Sequence, residues 1–378
     1  MSWFYRKLVR PALFTQDSEE IHNRTLTALG RLSGQEVLCD AFASFYRAPE
    51  LPVDLFGLKF PNPIGLAAGM DKYAAAPPVW EAMGFGFAEL GGVTLHPQPG
   101  NPAPRMFRVE ADEALINRMG FNNPGAEALA AKLAEWRARG RWPGHPVGVN
   151  LGKSKITPLE NAAEDYANSL RVLWPHADFF VANVSSPNTP NLRQLQDRAA
   201  LDEILAAMQE VNRQSAICAG QFAKPILVKV APDLSFEALD EILELSGPRQ
   251  IAGIVATNTT LTRPETSDAA VKGMYAEAGG LSGRPLRKRS TEVIRHLHCR
   301  TNGALPIIGV GGVFDAEDAW EKIVAGASLV QLYTGLVFEG PGVAKTIVTG
   351  LRGRLDELGI AEIREAVGLA SRSASIRS

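Results

Sequence analysis

Four asparagines, two lysines and a glycine run carry most of the polar chemistry of this chain. Asn150, Asn183, Asn188 and Asn258 lie at or just beyond the ends of short apolar runs. Each carboxamide presents a donor and an acceptor, a set suited to the N–H and C=O edges of a flat heterocycle. Lys72 follows AAGMD, and Lys229 interrupts the apolar stretch PILVKVAP. A lysine buried there needs a partner. It could stand beside a cofactor or an electron-rich intermediate, form a Schiff base, or belong to a structural ion pair. Gly309-Val310-Gly311-Gly312 and Gly335 could cradle a phosphate with backbone N–H groups, although a tight turn gives the same pattern. No cluster of His, Asp and Glu accompanies these positions, so no metal site is expected.

Eight apolar runs must place these groups. They are 63–68 (PIGLAA), 87–94 (FAELGGVT), 146–152 (PVGVNLG), 178–185 (DFFVANVS), 225–231 (PILVKVA), 253–260 (GIVATNTT), 306–313 (PIIGVGGV) and 329–336 (LVQLYTGL). Most are nearly continuous rather than alternating, as in parallel strands buried on both faces. Helical spacing appears between them at 126–139, 201–211, 236–245, 290–298 and 316–325. Eight alternations of strand and helix predict an α/β fold, a (β/α)8 barrel, with chemistry at the C-terminal strand ends. An open doubly wound sheet is the competitor, but GLAAG at 65–69 does not supply the GxGxxG that a dinucleotide fold places after its first strand.

The 378 residues carry 39 basic and 41 acidic side chains, which gives no sign of wholesale nucleic-acid binding. Cys39, Cys218 and Cys299 are far apart, so neither a disulfide scaffold nor a cysteine-rich metal site is expected. No apolar run reaches the length of a membrane span, and the N-terminus is a poor signal peptide. Residues 1–50 stand apart as a helical extension. Phe4, Leu8 and Val9 share a face, Pro11 interrupts that segment, and a second helix starts near Asp17 with Glu20 as its capping-box partner. Two such amphipathic helices could serve packing alone or lie on a membrane surface. A barrel domain at 51–369 and a frayed tail at 370–378 complete the expected organisation.

The segments AAGMDK (67–72), NRMGF (117–121), NVSSPNTP (183–190), ATNTT (256–260), GGLSGRPL (279–286) and IIGVGG (307–312) together carry a family resemblance. The chain resembles the dihydroorotate dehydrogenases, specifically the membrane-associated, quinone-linked class 2. The resemblance implies FMN and the oxidation of (S)-dihydroorotate to orotate in pyrimidine synthesis. It implies FMN contacts at Ala67, Ala68, Gly69, Met70, Asp71, Thr94, Asn150, Lys229, Thr257, Gly283, Gly312, Tyr333 and Thr334. Lys72, Asn117, Arg118, Met119, Gly120, Phe121, Asn188, Asn258 and Thr259 would hold the substrate, and Asn183 would touch both. Ser186 would be the catalytic base, where class 1 relatives look to a cysteine. His22, Arg108 and Tyr333 match the quinone tunnel beneath the leading helices. The same resemblance implies peripheral attachment to the cytoplasmic face of the cell membrane, given a bacterial source, and a monomer. One departure is Asn191, which stands where the family usually has glycine. Asn tolerates positive φ better than most residues.

A serine hydroxyl is a weak base, so Ser186 would need activation or a relay through Thr189 or water. Lys72 would attract the substrate carboxylate, and Lys229 would stabilise negative charge on reduced flavin. Three rivals remain at this point. They are a flavin-free lyase using Lys229 or Lys72, a non-catalytic FMN-binding barrel, and a soluble class 1-like enzyme.

Overall fold

Near-continuous apolar runs make strands only where both faces are covered, and a closed barrel covers both. In the computed structural model, which describes residues 2–189 and 191–371, all eight runs form such strands. They are Ile64–Leu66, Phe87–Val93, Val147–Leu151, Phe179–Asn183, Ile226–Val230, Gly253–Ala256, Ile307–Val310 and Leu329–Leu332. Each pairs in parallel with the next, and the eighth pairs with the first to close the barrel. Helices Ala126–Ala138, Arg198–Ala219, Phe236–Glu244, Arg287–Arg300 and Ala316–Ala325 occupy the predicted positions between them.

The barrel interior is layered. Phe60 packs edge-on against Phe87, and Phe87 against Phe179, with Gly65 and Gly148 leaving room for the rings. Each fully buried ring contributes roughly 1.5–3 kcal/mol relative to exposure. Side chains two residues further along a strand share its face. That step carries the second strand from Phe87 to Glu89 and the third from Gly148 to Asn150, so a polar layer follows the aromatic one.

Two additions surround this frame. Strands Met106–Val109, Ala114–Asn117 and Gly280–Gly283 form an antiparallel sheet that sequence patterning did not reveal. The leading segment Ser2–Phe14 runs through Pro11 rather than stopping there: a π-helical turn, Tyr5–Val9, precedes the α-helical turn Arg10–Phe14. Pro11 follows closely on the π-helical turn, where the backbone ladder already departs from α-helical pairing. The segment is tied to the barrel by the Tyr5 hydroxyl, which donates to the Val337 carbonyl at 2.8 Å. Asp17 caps helix Ser18–Ser33 by accepting from the Glu19 and Glu20 N–H groups. The expected capping box does not close, because Glu20 turns to Arg24 one turn on. A further helix, Glu36–Tyr46, completes the extension. Among the described residues no helix is long and apolar enough to cross a membrane. The expected tail lies mostly outside the described residues.

Candidate active site

The C-terminal strand ends converge on a cavity roofed in part by the antiparallel sheet. Its wall includes Ala67, Ala68, Gly69, Lys72, Asn117, Met119, Gly120, Phe121, Asn150, Asn183, Ser186 and Asn188. It continues through Lys229, Thr257, Asn258, Thr259, Gly283, Gly312, Tyr333 and Thr334. The structure therefore brings together most of the residues singled out in the sequence. The second strand reaches this wall through Gly92 instead of the expected Thr94.

Four others lie off this wall. Met70 lines a second cavity, described below. Asp71 is fully buried and accepts from Ala75 N, Ala76 N and Trp80 Nε1, which fixes the turn after the first strand. Burial pushes its carboxyl up in pKa, and those hydrogen bonds oppose the rise. Thr94 donates to the His96 carbonyl and accepts from Asn123 Nδ2, so it braces a loop. Arg118 turns away to pair with Glu277 at 2.6 Å and covers the Phe107 ring.

Beneath the cavity lies Glu89, which the sequence reading passed over. Its Oε1 accepts from Asn150 Nδ2 at 2.6 Å, and its Oε2 accepts from Gln331 Nε2 at 2.8 Å. Lys229 Nζ stands 3.7 Å from the same carboxylate, which supplies the partner a buried lysine needs. Asn183 Nδ2 donates to Asn150 Oδ1 at 2.8 Å, and Asn258 Nδ2 to Asn183 Oδ1 at 3.2 Å. A carboxylate inside the otherwise apolar run FAELGGVT is the signal that could have revealed this layer.

Opposite these amides, Lys72 Nζ donates to Asn122 Oδ1 at 2.7 Å. Burial, reinforced by the Arg105 charge, holds its pKa down to about 8. Asn188 Nδ2 donates to Asn117 Oδ1 at 3.1 Å. Ser186 is buried on the loop after the fourth strand, and its Oγ accepts from Asn188 N at 3.3 Å. The Thr189 hydroxyl is buried with no hydrogen-bond partner. Asn191 has φ 59°, in the left-handed region that glycine usually fills.

At another edge Gly311 and Gly312, with φ of 125° and 69°, meet the first turn of helix Thr334–Glu339. First-turn N–H groups lack intrahelical acceptors and favour an anion. A Cβ added at Gly312 would also lie 2.5 Å from that of Arg287. The nearby cations are already engaged, Arg284 by Glu113 and Arg287 by Asp318 and Glu321. An anion here would thus be held chiefly by backbone.

The second cavity lies under the N-terminal helices. Its wall is mostly apolar, including Leu13, Phe14, Ile21, Leu26, Leu29 and Met83, with Ser18, His22, Thr25 and Arg108 among its polar members. Burial pushes the His22 imidazole down to about 4, and the Lys72 charge adds to this. Arg108 Nε donates to Ser18 Oγ at 3.0 Å, while Nη1 is buried without a partner. Met106, Leu115 and Tyr333 line both cavities and so form the wall between them. Among the described residues no group of His, Cys, Asp and Glu could hold a metal.

Residues 50–355 match the family model described as dihydroorotate dehydrogenase. A "dihydroorotate dehydrogenase (quinone)" of Gloeobacter violaceus is 52% identical over 367 residues, covering 96% of this chain and 98% of that protein. A protein of the same name from a Cyanothece species is 56% identical over 316 residues, covering 82% of each. Among solved structures, DHODH of Eimeria tenella in complex with ferulenol superposes with a TM-score of 0.82 at 36% identity. That match covers 94% of this chain and 96% of the other.

Proposed function

The chain belongs to the dihydroorotate dehydrogenase family, and from that premise we propose that the polar cavity holds FMN with dihydroorotate and the apolar cavity receives a membrane quinone. The enzyme oxidises dihydroorotate to orotate in pyrimidine biosynthesis, with a flavin as carrier and a quinone as acceptor. The observation that carries the two-site reading is the wall of Met106, Leu115 and Tyr333 shared by a polar and an apolar cavity.

The residues fit FMN. The glycine backbone and the first turn of Thr334–Glu339 suit its phosphate, and Lys229 with the amides of Asn150 and Asn183 suits the ring. Gln331 Oε1, buried without a partner, is a free acceptor on the same wall. When bound, FMN supplies a two-electron acceptor for the substrate's hydride and a donor for the quinone.

The remaining work falls to side chains. Lys72 attracts the substrate carboxylate, and Asn117, Asn188 and Asn258 read the ring amides. Ser186 removes the proton from the carbon beside the carbonyl, and the unpartnered Thr189 hydroxyl is available to pass it onward. Lys229 steadies negative charge that develops on the ring. In the apolar cavity Arg108 Nη1 is the donor for a quinone oxygen, with His22 and Tyr333 completing the polar edge.

Residues 1–50 serve as the membrane-facing extension and 51–369 as the catalytic domain. Trp3, Phe4, Leu8, Val37, Leu38 and Phe45 expose apolar side chains beside Arg6 and Lys7, a composition that supports interfacial attachment. We assign this monomeric enzyme to the cytoplasmic face of a bacterial cell membrane. The test is anaerobic absorbance of the purified protein. Dihydroorotate should bleach the flavin band, and a short-chain quinone should restore it. Bleaching without restoration would overturn the quinone assignment, and no bleaching would overturn the substrate.

A further inference from the structure

We infer that Glu89 is a positioning residue that sets the donor and acceptor directions of the cavity floor and balances the charge of Lys229, an assignment that rests on the flavin and dihydroorotate reading above. Glu89 is fully buried and lies outside the cavity wall, so it acts through others. A carboxylate only accepts hydrogen bonds. Asn150 must therefore turn Nδ2 toward it, at 2.6 Å, which leaves Oδ1 facing Asn183. Asn183 must then present Nδ2, at 2.8 Å, which leaves its Oδ1 for Asn258 Nδ2 at 3.2 Å and the Ser185 hydroxyl at 3.1 Å. Asn258 Oδ1 finally accepts from Thr259 N at 2.8 Å. One acidic group thus fixes the sense of three carboxamides in sequence, and two of them are assigned to the substrate.

Gln331 closes the other side. Its Nε2 donates to Glu89 at 2.8 Å, so its Oε1 is the group left over, buried and unpartnered on the cavity wall. Lys229 stands 3.7 Å from Glu89, near enough for charge compensation but too far for a hydrogen bond. Its N–H groups therefore remain available to a ligand. A neutral amide at position 89 breaks both arrangements. It offers one acceptor and one donor to two neighbours that both donate, so Asn150 or Gln331 must invert. It also leaves Lys229 uncompensated, which makes electron uptake at the flavin easier.

The test compares holoenzymes of the wild type, E89Q and the conservative E89D. E89Q should raise KM for dihydroorotate about tenfold. It should favour flavin reduction about tenfold, a rise in midpoint potential of about 30 mV for two electrons. The KM for quinone should not move. E89D keeps a charged group that only accepts, so it preserves the donor sense of Asn150 and Gln331 and the compensation of Lys229. Its KM and potential should lie closer to the wild type than those of E89Q. A lowered Tm with unchanged KM and potential would reduce Glu89 to packing and overturn the assignment. Should E89Q fail to fold, E89D decides: a flavin reduction equilibrium within about threefold of wild type supports the inference, and a larger displacement overturns it. The potential is measured against dyes without dihydroorotate. A wild-type flavin that ignores dihydroorotate would therefore sink the substrate reading separately.

Discussion

The two cavities are neighbours built on opposite terms. In the polar one, the side chains are held by hydrogen bonds to one another, from Glu89 through three asparagines, and from Lys72 to Asn122. Its donors and acceptors are oriented before any ligand arrives, at no later cost in ordering. The apolar one is lined by side chains of the N-terminal helices and leaves a cationic corner at Arg108. Directional bonds select one heterocycle; apolar walls admit a family of shapes. The difference suits a fixed substrate on one side and a long, variable quinone on the other.

Substitutions that strike one cavity and spare the other sharpen this contrast. The largest effect is expected for Ser186→Ala, which should slow flavin bleaching by dihydroorotate about 10²–10⁴-fold in stopped flow. Quinone should reoxidise chemically reduced Ser186→Ala enzyme at the wild-type rate. Equal losses in both halves would erase the separation. Next comes Lys72→Met, with KM for dihydroorotate rising about 10–100-fold through loss of a charged hydrogen bond. Its ammonium titrates at about 8, so in the wild type kcat/KM for dihydroorotate should fall as pH rises through 8. In Lys72→Met that alkaline limb should vanish. Arg108→Gln should raise KM for quinone about tenfold, through loss of one charged donor, and leave bleaching untouched. His22, held down to about 4, is neutral at pH 7, so the quinone half-reaction should show no limb from it between about pH 5 and 8. The smallest effect belongs to the loop. Asn191→Val forces a β-branched residue into φ 59° and should lower stability by about 1–2 kcal/mol in denaturant titration.

The barrel was legible because its strands are apolar on both faces and each run is local in sequence. The cavity wall was legible because Asn150, Asn183 and Asn258 each lie within two residues of the end of a strand. What escaped was non-local or obscured. The antiparallel sheet joins Leu115 to Ser282 across a long stretch of chain, and neither segment alternates clearly. Helix Glu36–Tyr46 turns Val37, Leu38 and Phe45 to solvent, which blurs the amphipathic stripe that would announce it. Glu89 looked like one residue of a strand, since its partners come from the third, fifth and eighth strands. Met70, Asp71, Thr94 and Arg118 sit beside wall residues in sequence, yet backbone direction sends their side chains elsewhere.

The tie from Tyr5 to Val337 bears on how the protein comes into being. Tyr5 must wait for a segment beyond the last strand before it can make this contact. At roughly 5–20 residues per second, that wait is on the order of tens of seconds. Throughout it Tyr5 and Phe14 lack the Val337 and Phe338 partners that they finally meet. Synthesis thus presents them to their surroundings well before the barrel can claim them.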